Sequence, residues 1–590
     1  MEYRLKDDEQ LCFIHLPKNA GTTLISIIDS KFELEEICPA QVWRNLIKIP
    51  RGELSKYKLL RGHFFYGICE LLPKKPVYIT MLRSPVDRVV SIYDFWRNTS
   101  KEWLDKAIAD YHIAKEVDQN YANEIKNDIS TYEKATSLEL KDFLLWGSEL
   151  EVGLVNGQTR TVALSSLEQL TQFSEQELLK LAQEHLNEFA FLGLVERFQD
   201  SMSLLSYTFG WTPIIEYQNL MVTPNRRCRE ALPPETIDMI LEMNQLDVEL
   251  YQYAQQLFES RFSRMTQELL ERYGKQPHAE SKALDFYQDL SPLQPLLEKH
   301  YERRDAESLT PLLQSINLKF HQAISGWGWH LREGSPEAGT AFRWTGPGTV
   351  STLDLPLATD KDLVIKFRII GAVTSEILES LTLKVNGNLI ELTTLYQEET
   401  VTILQGFIPC FKLSSDKSFT RLTFQVARTI SQNSIAPSNL DVRPVGLAFN
   451  WLQIFPATQH EDSNMYMLFL FTDSYWVDTA SFLQKHVKNE DQLIAPIEFQ
   501  EKFPGRICPY FSPVRGEVNY QWAVIHKGMI KSIELPLLKR ITQSLVPVFA
   551  NEIFVVFSTH SNLSQLPPDS LHMLFFWATL KEILLSPSSS

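Results

Sequence analysis

The sequence predicts three folded regions in succession: an α/β region over residues 1–275, a β-sandwich of jelly-roll type over 310–458, and a small α/β region over 459–590. A helical connector at 276–309 joins the first two. Three observations carry this. The first region alternates short apolar runs with long amphipathic stretches, the pattern of strands packed against helices. The second is a series of short segments with period-two alternation and little helical periodicity. In the third, apolar runs separated by helical stretches return. With 590 residues, there is room for each region to bury a core of its own.

In chain order, "LCFIHL" (Leu11 to Leu16) and "PVYITML" (Pro76 to Leu82) read as core strands, and long helices are expected from about Leu138 to Phe262. "LEKHYERRDAESL" (Leu297 to Leu309) is polar and helical, which suits a connector. "LVIKFRI" (Leu363 to Ile369) and "LTLKVNGNLIEL" (Leu381 to Leu392) alternate apolar and polar residues, and Asn386-Gly387 predicts a two-residue hairpin turn. "RLTFQVA" and "GLAFNWLQI" continue the pattern to Ile454, which gives a sandwich or jelly roll. "MYMLFLF" (from Met465), "QWAVIH" and "EIFVVFS" read as buried strands of the last region, which ends in a helix near Leu571 to Leu585.

Composition excludes several classes of function. The apolar fraction of 44% and charged fraction of 22% are those of a soluble globular chain. A formal net charge of −16 argues against bulk binding of nucleic acid or anionic membrane, both of which need a basic face. The six cysteines (Cys12, Cys38, Cys69, Cys228, Cys410, Cys508) are dispersed, with no CxxC pair; they read as reduced thiols, and neither structural zinc nor any other metal is expected. "MEYRLKDDEQLCF" is too charged for a signal peptide, and "MYMLFLF" is far too short to span a membrane. The expected location is the cytoplasm.

"FIHLPKNAGTT" (Phe13 to Thr23) is a strand, a small-residue polar loop and a helix start. That order gathers free backbone N–H groups and the positive end of a helix at one point, which is an anion site. Thr22 and Thr23 add hydroxyl donors, and Lys18 adds a point charge able to meet a phosphate or a leaving-group oxygen. The loop is not GxxxxGK[ST]: its lysine precedes the single glycine, Gly21, by three residues. A nucleoside triphosphate kinase, which also needs a carboxylate to hold magnesium, is disfavoured.

"VYITMLRSPVDRVVSIYDFW" (Val77 to Trp96) supplies a second anion site. Its strand ends at Leu82, Arg83 follows at the carboxyl end, and Ser84-Pro85 opens a helix. Ligands of open α/β sheets bind at that edge, where Arg83 can make a bidentate phosphate contact. Ser91 lies two turns along the same helix, and Arg88 reads as an ordinary surface arginine.

"PKNAGTT" and "LRSPVDRVVSIY" resemble the 5′-phosphosulfate loop and the 3′-phosphate motif of sulfotransferases that use 3′-phosphoadenosine 5′-phosphosulfate (PAPS). The nearest likeness is to carbohydrate O-sulfotransferases, in particular the uronosyl (heparan sulfate) 2-O-sulfotransferase group. "LLRGHFFYGICELLPKKPVYITMLRSPVDRVVSIYDFWR" is similar to that group along its length, and the likeness covers about residues 10–262. It implies a P-loop-like parallel sheet that binds PAPS without a metal. Lys18, Asn19, Ala20, Gly21, Thr22 and Thr23 would hold the 5′-phosphosulfate, and Arg83 and Ser91 the 3′-phosphate. Lys18 would neutralise charge on the bridging oxygen as the nucleotide leaves.

His63 occupies the second histidine position of the group's HGH-type segment, which implies a general base for the acceptor hydroxyl. The first histidine position is Arg61 here, a departure that bears on the substrate. His15 reads as structural. Arg160, in "NGQTR", and Arg226, Arg227 and Arg229, in "TPNRRCRE", are further candidates for nucleotide or acceptor contact; Arg227 is the preferred one of the second set.

"GWGWH" (Gly326 to His330) and "FRWTGPG" (Phe342 to Gly348) offer tryptophans that either stack on sugars or fill a core. In the last region His526, Lys527 and His560 lie at strand ends and read as structural. The expected function is transfer of the sulfuryl group of PAPS to a hydroxyl of a saccharide or polysaccharide, in a bacterial-type cytosolic enzyme with two accessory regions. A sulfotransferase for a small molecule or lipid, needing a closed apolar pocket, and a non-catalytic nucleotide- and glycan-binding scaffold are the alternatives.

Overall fold

The computed structural model of the chain describes residues 2–148, 153–214, 217, 227, 229–274, 293–335, 339–398, 401–413, 417–436, 439, 441–457, 474–496, 499–500, 502–508, 510, 520–568 and 570–585. The "MYMLFLF" segment and Arg226 fall outside these residues.

Strands β1 (Leu11–Ile14), β2 (Leu59–Gly62), β3 (Val77–Leu82) and β4 (Phe191–Leu194) form a parallel sheet in the order β2-β1-β3-β4. Leu11 pairs with both Leu59 and Val77, and Ile79 pairs with Phe191. Every residue of the four strands is buried, as a parallel sheet covered on both faces requires.

The helices around it are α1 (Gly21–Asp29), the short α2 (Trp43–Leu46) and α3 (Arg51–Leu54), α4 (Pro85–Arg97), α5 (Lys101–Val117), α6 (Gln119–Ser137), α7 (Leu140–Ser148), α8 (Gly157–Ala163), α9 (Glu175–Glu188), α10 (Phe198–Phe209), α11 (Pro234–Met243) and α12 (Gln245–Tyr273).

Helix therefore begins well before the expected Leu138. Most residues of α5 and α6 are exposed, and the two helices meet through Ala107, Ala114, Ala122 and Ile125 with Trp103, Tyr111, Tyr121 and Ile129 part-buried beside them. That stripe is narrow and made largely of alanine and tyrosine. Strand β4 escaped the reading because its four residues sit between two long helices.

The connector is a bridging helix, α13 (Gln294–Ala306), packed against α10 and α12. Its His300 Nε2 lies 2.9 Å from the Tyr207 carbonyl. On its other side Glu298 pairs with Arg421, Glu302 with Lys417 at 2.6 Å, and Asp305 accepts from Ser418 Oγ at 2.5 Å.

The next region is two antiparallel sheets packed face to face. Strands β5 (Ile316–Lys319), β6 (Trp329–Glu333), β7 (Phe342–Thr345), β8 (Val350–Leu355), β9 (Leu363–Ala372), β10 (Thr382–Val385), β11 (Asn388–Ile390), β12 (Leu392–Glu398), β13 (Val401–Ile408) and β14 (Thr420–Gln425) build it, with a long strand at Leu447–Pro456. One sheet runs β11-β10-β14-β8, and β9, β13 and Leu447–Pro456 form the middle of the other. Their shared core includes Leu383, Leu422 and Phe424 from one sheet and Ile365, Phe367 and Phe449 from the other. Asn386 and Gly387 have φ of 47° and 82°, the left-handed pair that a two-residue hairpin turn demands.

The last region holds a mixed five-stranded sheet that includes Trp522–His526 and Phe554–Ser558, with helices at Ser474–His486, Leu535–Ser544 and Leu571–Leu585. Among the described residues, no helix is long and apolar enough to cross a membrane.

Candidate functional site

Because the four N-terminal strands are parallel, their carboxyl ends lie along one edge. His63 follows β2, the Lys18 loop follows β1, Arg83 follows β3 and Glu196 follows β4. The chain leaves β1 toward β2 on one side and returns to β3 on the other. The crevice between β1 and β3 is therefore the switch point where open α/β sheets bind ligands.

The loop into α1 is held in a sparsely populated conformation. Lys18 and Ala20 have φ of 67° and 56°, left-handed values at non-glycine residues, with Asn19 between them. Asn19 is 1% exposed, and its Nδ2 donates to the Met81 carbonyl at 2.9 Å and to Gln158 Oε1 at 2.8 Å. Helix geometry leaves the amides at the start of α1 without intrahelical acceptors. Thr22 is exposed there and Thr23 buried. The Lys18 ammonium lies 4.2 Å from the centre of the Phe95 ring of α4.

Gly21 has no room for a side chain: a Cβ would lie 1.8 Å from the His15 ring. Gly21→Ala is expected to destabilise the N-terminal region by about 1–3 kcal/mol through overpacking. Thermal unfolding followed by a fluorophore on that region measures this, and an unchanged transition would contradict it.

Arg83 is buried at the end of β3, and its Nη1 donates to the Lys18 carbonyl at 2.7 Å. The two expected anion-binding residues therefore share one crevice. Gln158, which sequence reasoning did not single out, fixes them from the far side. Its Oε1 accepts from the Arg83 amide at 3.0 Å as well as from Asn19, and its Nε2 donates to the Arg83 carbonyl at 2.9 Å. Gln158 is held in turn by Asp247 at the start of α12, which accepts from the amides of Gln158 and Thr159 at 3.1 and 2.8 Å. The signal in the sequence was "NGQTR", but the hydrogen bonds close over 75 to 139 residues and have no local signature.

Glu196 accepts from the Ser84 amide at 2.8 Å and from the Tyr251 hydroxyl at 2.6 Å, which pins the start of α4. Ser91 is buried within α4. Arg88, expected at the surface, is instead 2% exposed; its Nη1 donates to the Gly153 carbonyl at 2.9 Å, and burial lowers its pKa. Long aliphatic stems of arginine are easily buried, and periodicity alone does not reveal it.

His63 lies at the carboxyl end of β2 with its ring stacked on His15, centroids 4.3 Å apart. Its Nδ1 is 2.8 Å from the His15 carbonyl. A carbonyl only accepts, so Nδ1 carries the hydrogen and Nε2 is the basic nitrogen. Packing around the ring lowers the pKa of His63, against the opposing pull of that bond. Burial, with the nearby charges of His63 and Lys18, lowers that of His15 to about 3, in keeping with a structural role.

Arg61, the residue in place of the expected first histidine, faces away from acid–base work. It grips the carboxylate of Asp29 through Nε and Nη2 at 2.9 and 3.2 Å and donates to the Cys38 carbonyl at 2.8 Å. It anchors the far end of α1.

Arg160 stands on α8, two residues beyond Gln158, with its guanidinium making no hydrogen bond or ion pair among the described residues. Arg227 donates its amide to Asp94 at 2.9 Å and lays its guanidinium 5.0 Å from the centre of the Tyr93 ring, so it is drawn onto α4. Arg229 is exposed in a short turn.

In the last region Lys527 Nζ donates to the Asn551 carbonyl at 2.6 Å, and His560 Nε2 lies 2.9 Å from Asp491, which also accepts from Trp522 Nε1. These partners are all within that region. Among the described residues, no cluster of three His, Cys, Asp or Glu side chains could hold a metal ion.

The sequence model described as "Sulfotransferase family" matches residues 1–254. Heparan-sulfate 6-O-sulfotransferase 2 of Danio rerio is 26% identical over 297 residues, which cover 44% of this chain and 60% of the relative. The chain therefore spans less than two thirds of that relative's length. The chicken (Gallus gallus) enzyme of the same name is 25% identical, over 45% of this chain and 71% of its own. Human (Homo sapiens) heparan-sulfate 6-O-sulfotransferase 1 is 26% identical, over 44% and 68%. These relatives are named for 6-O- and not for uronosyl 2-O-sulfation. The two motifs expected to bind anions converge on one sheet edge within the residues that the sulfotransferase family model matches, and the N-terminal part of this chain is similar to that family.

Proposed function

We propose that the chain is an O-sulfotransferase that moves the sulfuryl group of PAPS to a hydroxyl of a saccharide, at the carboxyl edge of a P-loop-like parallel sheet. The observation that carries this is the convergence of Lys18, Arg83 and His63 on that edge, with Arg83 bonded directly to the Lys18 loop. The names of the relatives support a saccharide as the acceptor class.

In this reading the loop Lys18 to Thr23 receives the 5′-phosphosulfate on the amides at the start of α1, and Arg83 and Ser91 take the 3′-phosphate. Arg160 is available to the nucleotide or the acceptor, and Arg227 closes on the α4 side. The acceptor oxygen attacks sulfur while His63 Nε2 takes its proton. The S–O bond to the nucleotide breaks, and the electron pair passes to the bridging oxygen, where Lys18 stabilises it. Adenosine 3′,5′-bisphosphate leaves. The transferred group bears less charge than a phosphoryl, so one lysine and oriented amides supply the stabilisation without a metal. The lack of a membrane-spanning helix among the described residues is compatible with a cytoplasmic location, where PAPS is made.

Incubation of the full chain with PAPS carrying radioactive sulfur and a panel of desulfated heparan-type oligosaccharides, neutral polysaccharides and lipid or phenolic hydroxyls tests the proposal. Label transferred to a saccharide is the expected result. Label confined to the lipid or phenol, or no transfer with any acceptor, would overturn it.

A further inference from the structure

A cleft of about 100 Å³ lies where the C-terminal end of α1 meets the first loop of the sandwich. It sits at the opposite end of α1 from the Lys18 loop, roughly 13 Å away for a helix of nine residues. The "GWGWH" segment borders it. Trp329 is core: its ring packs on Phe320 and Phe449, and its Nε1 donates to the Thr352 carbonyl at 2.8 Å. Trp329 and Trp327 both border the cleft, but the Trp327 indole, half-buried, has no aromatic neighbour and makes no hydrogen bond among the described residues.

Lys31, just past the end of α1, also lines the cleft. Its ammonium makes no hydrogen bond or ion pair with any described residue. The other cations around it are committed. Arg443 pairs with Asp441 and Glu333, each at 2.7 Å, and Arg343 donates to the carbonyls of Phe320, His330 and Gln322. Asp354, whose negative charge acts on Lys31, is held by both Nε and Nη2 of Arg421 at 2.6 Å. Burial lowers the pKa of Lys31 to about 8, partly offset by Asp354 and reinforced by Arg343. An ammonium half-removed from water without a partner is destabilising, and an anion placed against it reverses that. Ser26 and Ser30 donate to carbonyls of their own helix, so their oxygens remain able to accept from a ligand's hydroxyls.

We propose that this cleft binds an anionic sugar residue, a pyranose bearing a carboxylate or sulfate, with its ring against Trp327 and its anion on Lys31. A flat indole suits the apolar face of a pyranose, the serines suit its hydroxyls, and the volume admits one ring-sized group and not a buried chain. The binding site is built jointly by α1 and the sandwich, so a chain held here is tethered to the element whose other end carries the Lys18 loop. The inference shares only the saccharide class with the proposed function, and its test reads binding apart from sulfuryl transfer.

The test is ligand-observed NMR on the full chain saturated with adenosine 3′,5′-bisphosphate, titrated with D-glucuronate, D-glucose and inorganic sulfate. Glucuronate is expected to saturate, with glucose and sulfate each at least about tenfold weaker, as the loss of one charged hydrogen bond or of the stacked ring implies. Lys31→Met and Trp327→Ala should each weaken glucuronate by about tenfold or more while bisphosphate affinity stays unchanged, which also reports an intact fold. Failure of glucuronate to saturate, indifference to both substitutions, or equal binding of glucose would overturn the proposal. Sulfate binding that ignores Trp327 and matches glucuronate would overturn it too, by reducing the cleft to an anion site.

Discussion

His63→Ala is expected to lower kcat by about 10²–10⁴-fold, the range that loss of a positioned general base produces. Its Nδ1 is already engaged with the His15 carbonyl, so Nε2 is the nitrogen left basic, and the residue follows β2 at the sheet edge that also carries Lys18 and Arg83. The alanine also removes a ring stacked on His15, so the control is nucleotide affinity. If the histidine acts as base, adenosine 3′,5′-bisphosphate should bind the variant within about threefold of wild type, a difference below ~1 kcal/mol. A near-normal rate in His63→Ala would remove the base from the mechanism.

The pH profile gives an independent check. The lowered pKa keeps the imidazole neutral through the neutral range. Activity should therefore be flat above the ordinary histidine value of about 6.5 and fall about tenfold per unit only at more acid pH. An inflection above 6.5 would mean that another group is titrating.

Lys18→Ala is expected to cost about 10²–10³ in kcat, comparable to removing one donor that stabilises transition-state charge. The substitution also touches a residue with φ of 67°, so backbone and charge must be separated. Lys18→Gly relaxes the left-handed strain by about 1–2 kcal/mol while removing the same charge. Equal rate losses in the two variants identify the ammonium as the cause. Recovery of activity in the glycine variant alone would assign the effect to loop conformation. Steady-state kinetics at saturating PAPS measures both.

Much of this site was legible because its signals are local. A strand, a small-residue turn and a helix start within the eleven residues of "FIHLPKNAGTT" give the form of the proposed anion site, and the strand end at Leu82 puts Arg83 on the same edge. The glycine of that turn is required by a neighbour, His15, that lies only six positions back.

What escaped is long-range or cryptic. Gln158, Asp247 and Glu196 organise the crevice through hydrogen bonds to residues far away in the chain, and each reads as an ordinary polar residue in its own helix or turn. Arg61 and Arg88 were visible as charges, but only the packed structure shows that one anchors α1 and the other is buried. Helices α5 and α6 meet along a narrow stripe of alanine, tyrosine and isoleucine on otherwise exposed helices, which is a weak periodic signal. The two tryptophans of "GWGWH" stand two positions apart in different surroundings, because Gly328 between them, at φ of 83°, turns the chain before β6 begins at Trp329.

The central claim is that the crevice between β1 and β3 is a nucleotide site that reads a 3′-phosphate through Arg83. Titration calorimetry of adenosine 3′,5′-bisphosphate, with ADP and GTP as controls, against wild type and Arg83→Ala tests it directly. The account predicts tight binding of the bisphosphate, weaker binding of both controls, and a loss of about tenfold or more in the variant, as the loss of a charge-assisted contact implies. Preference for ADP or GTP, or bisphosphate binding unchanged by Arg83→Ala, would contradict it.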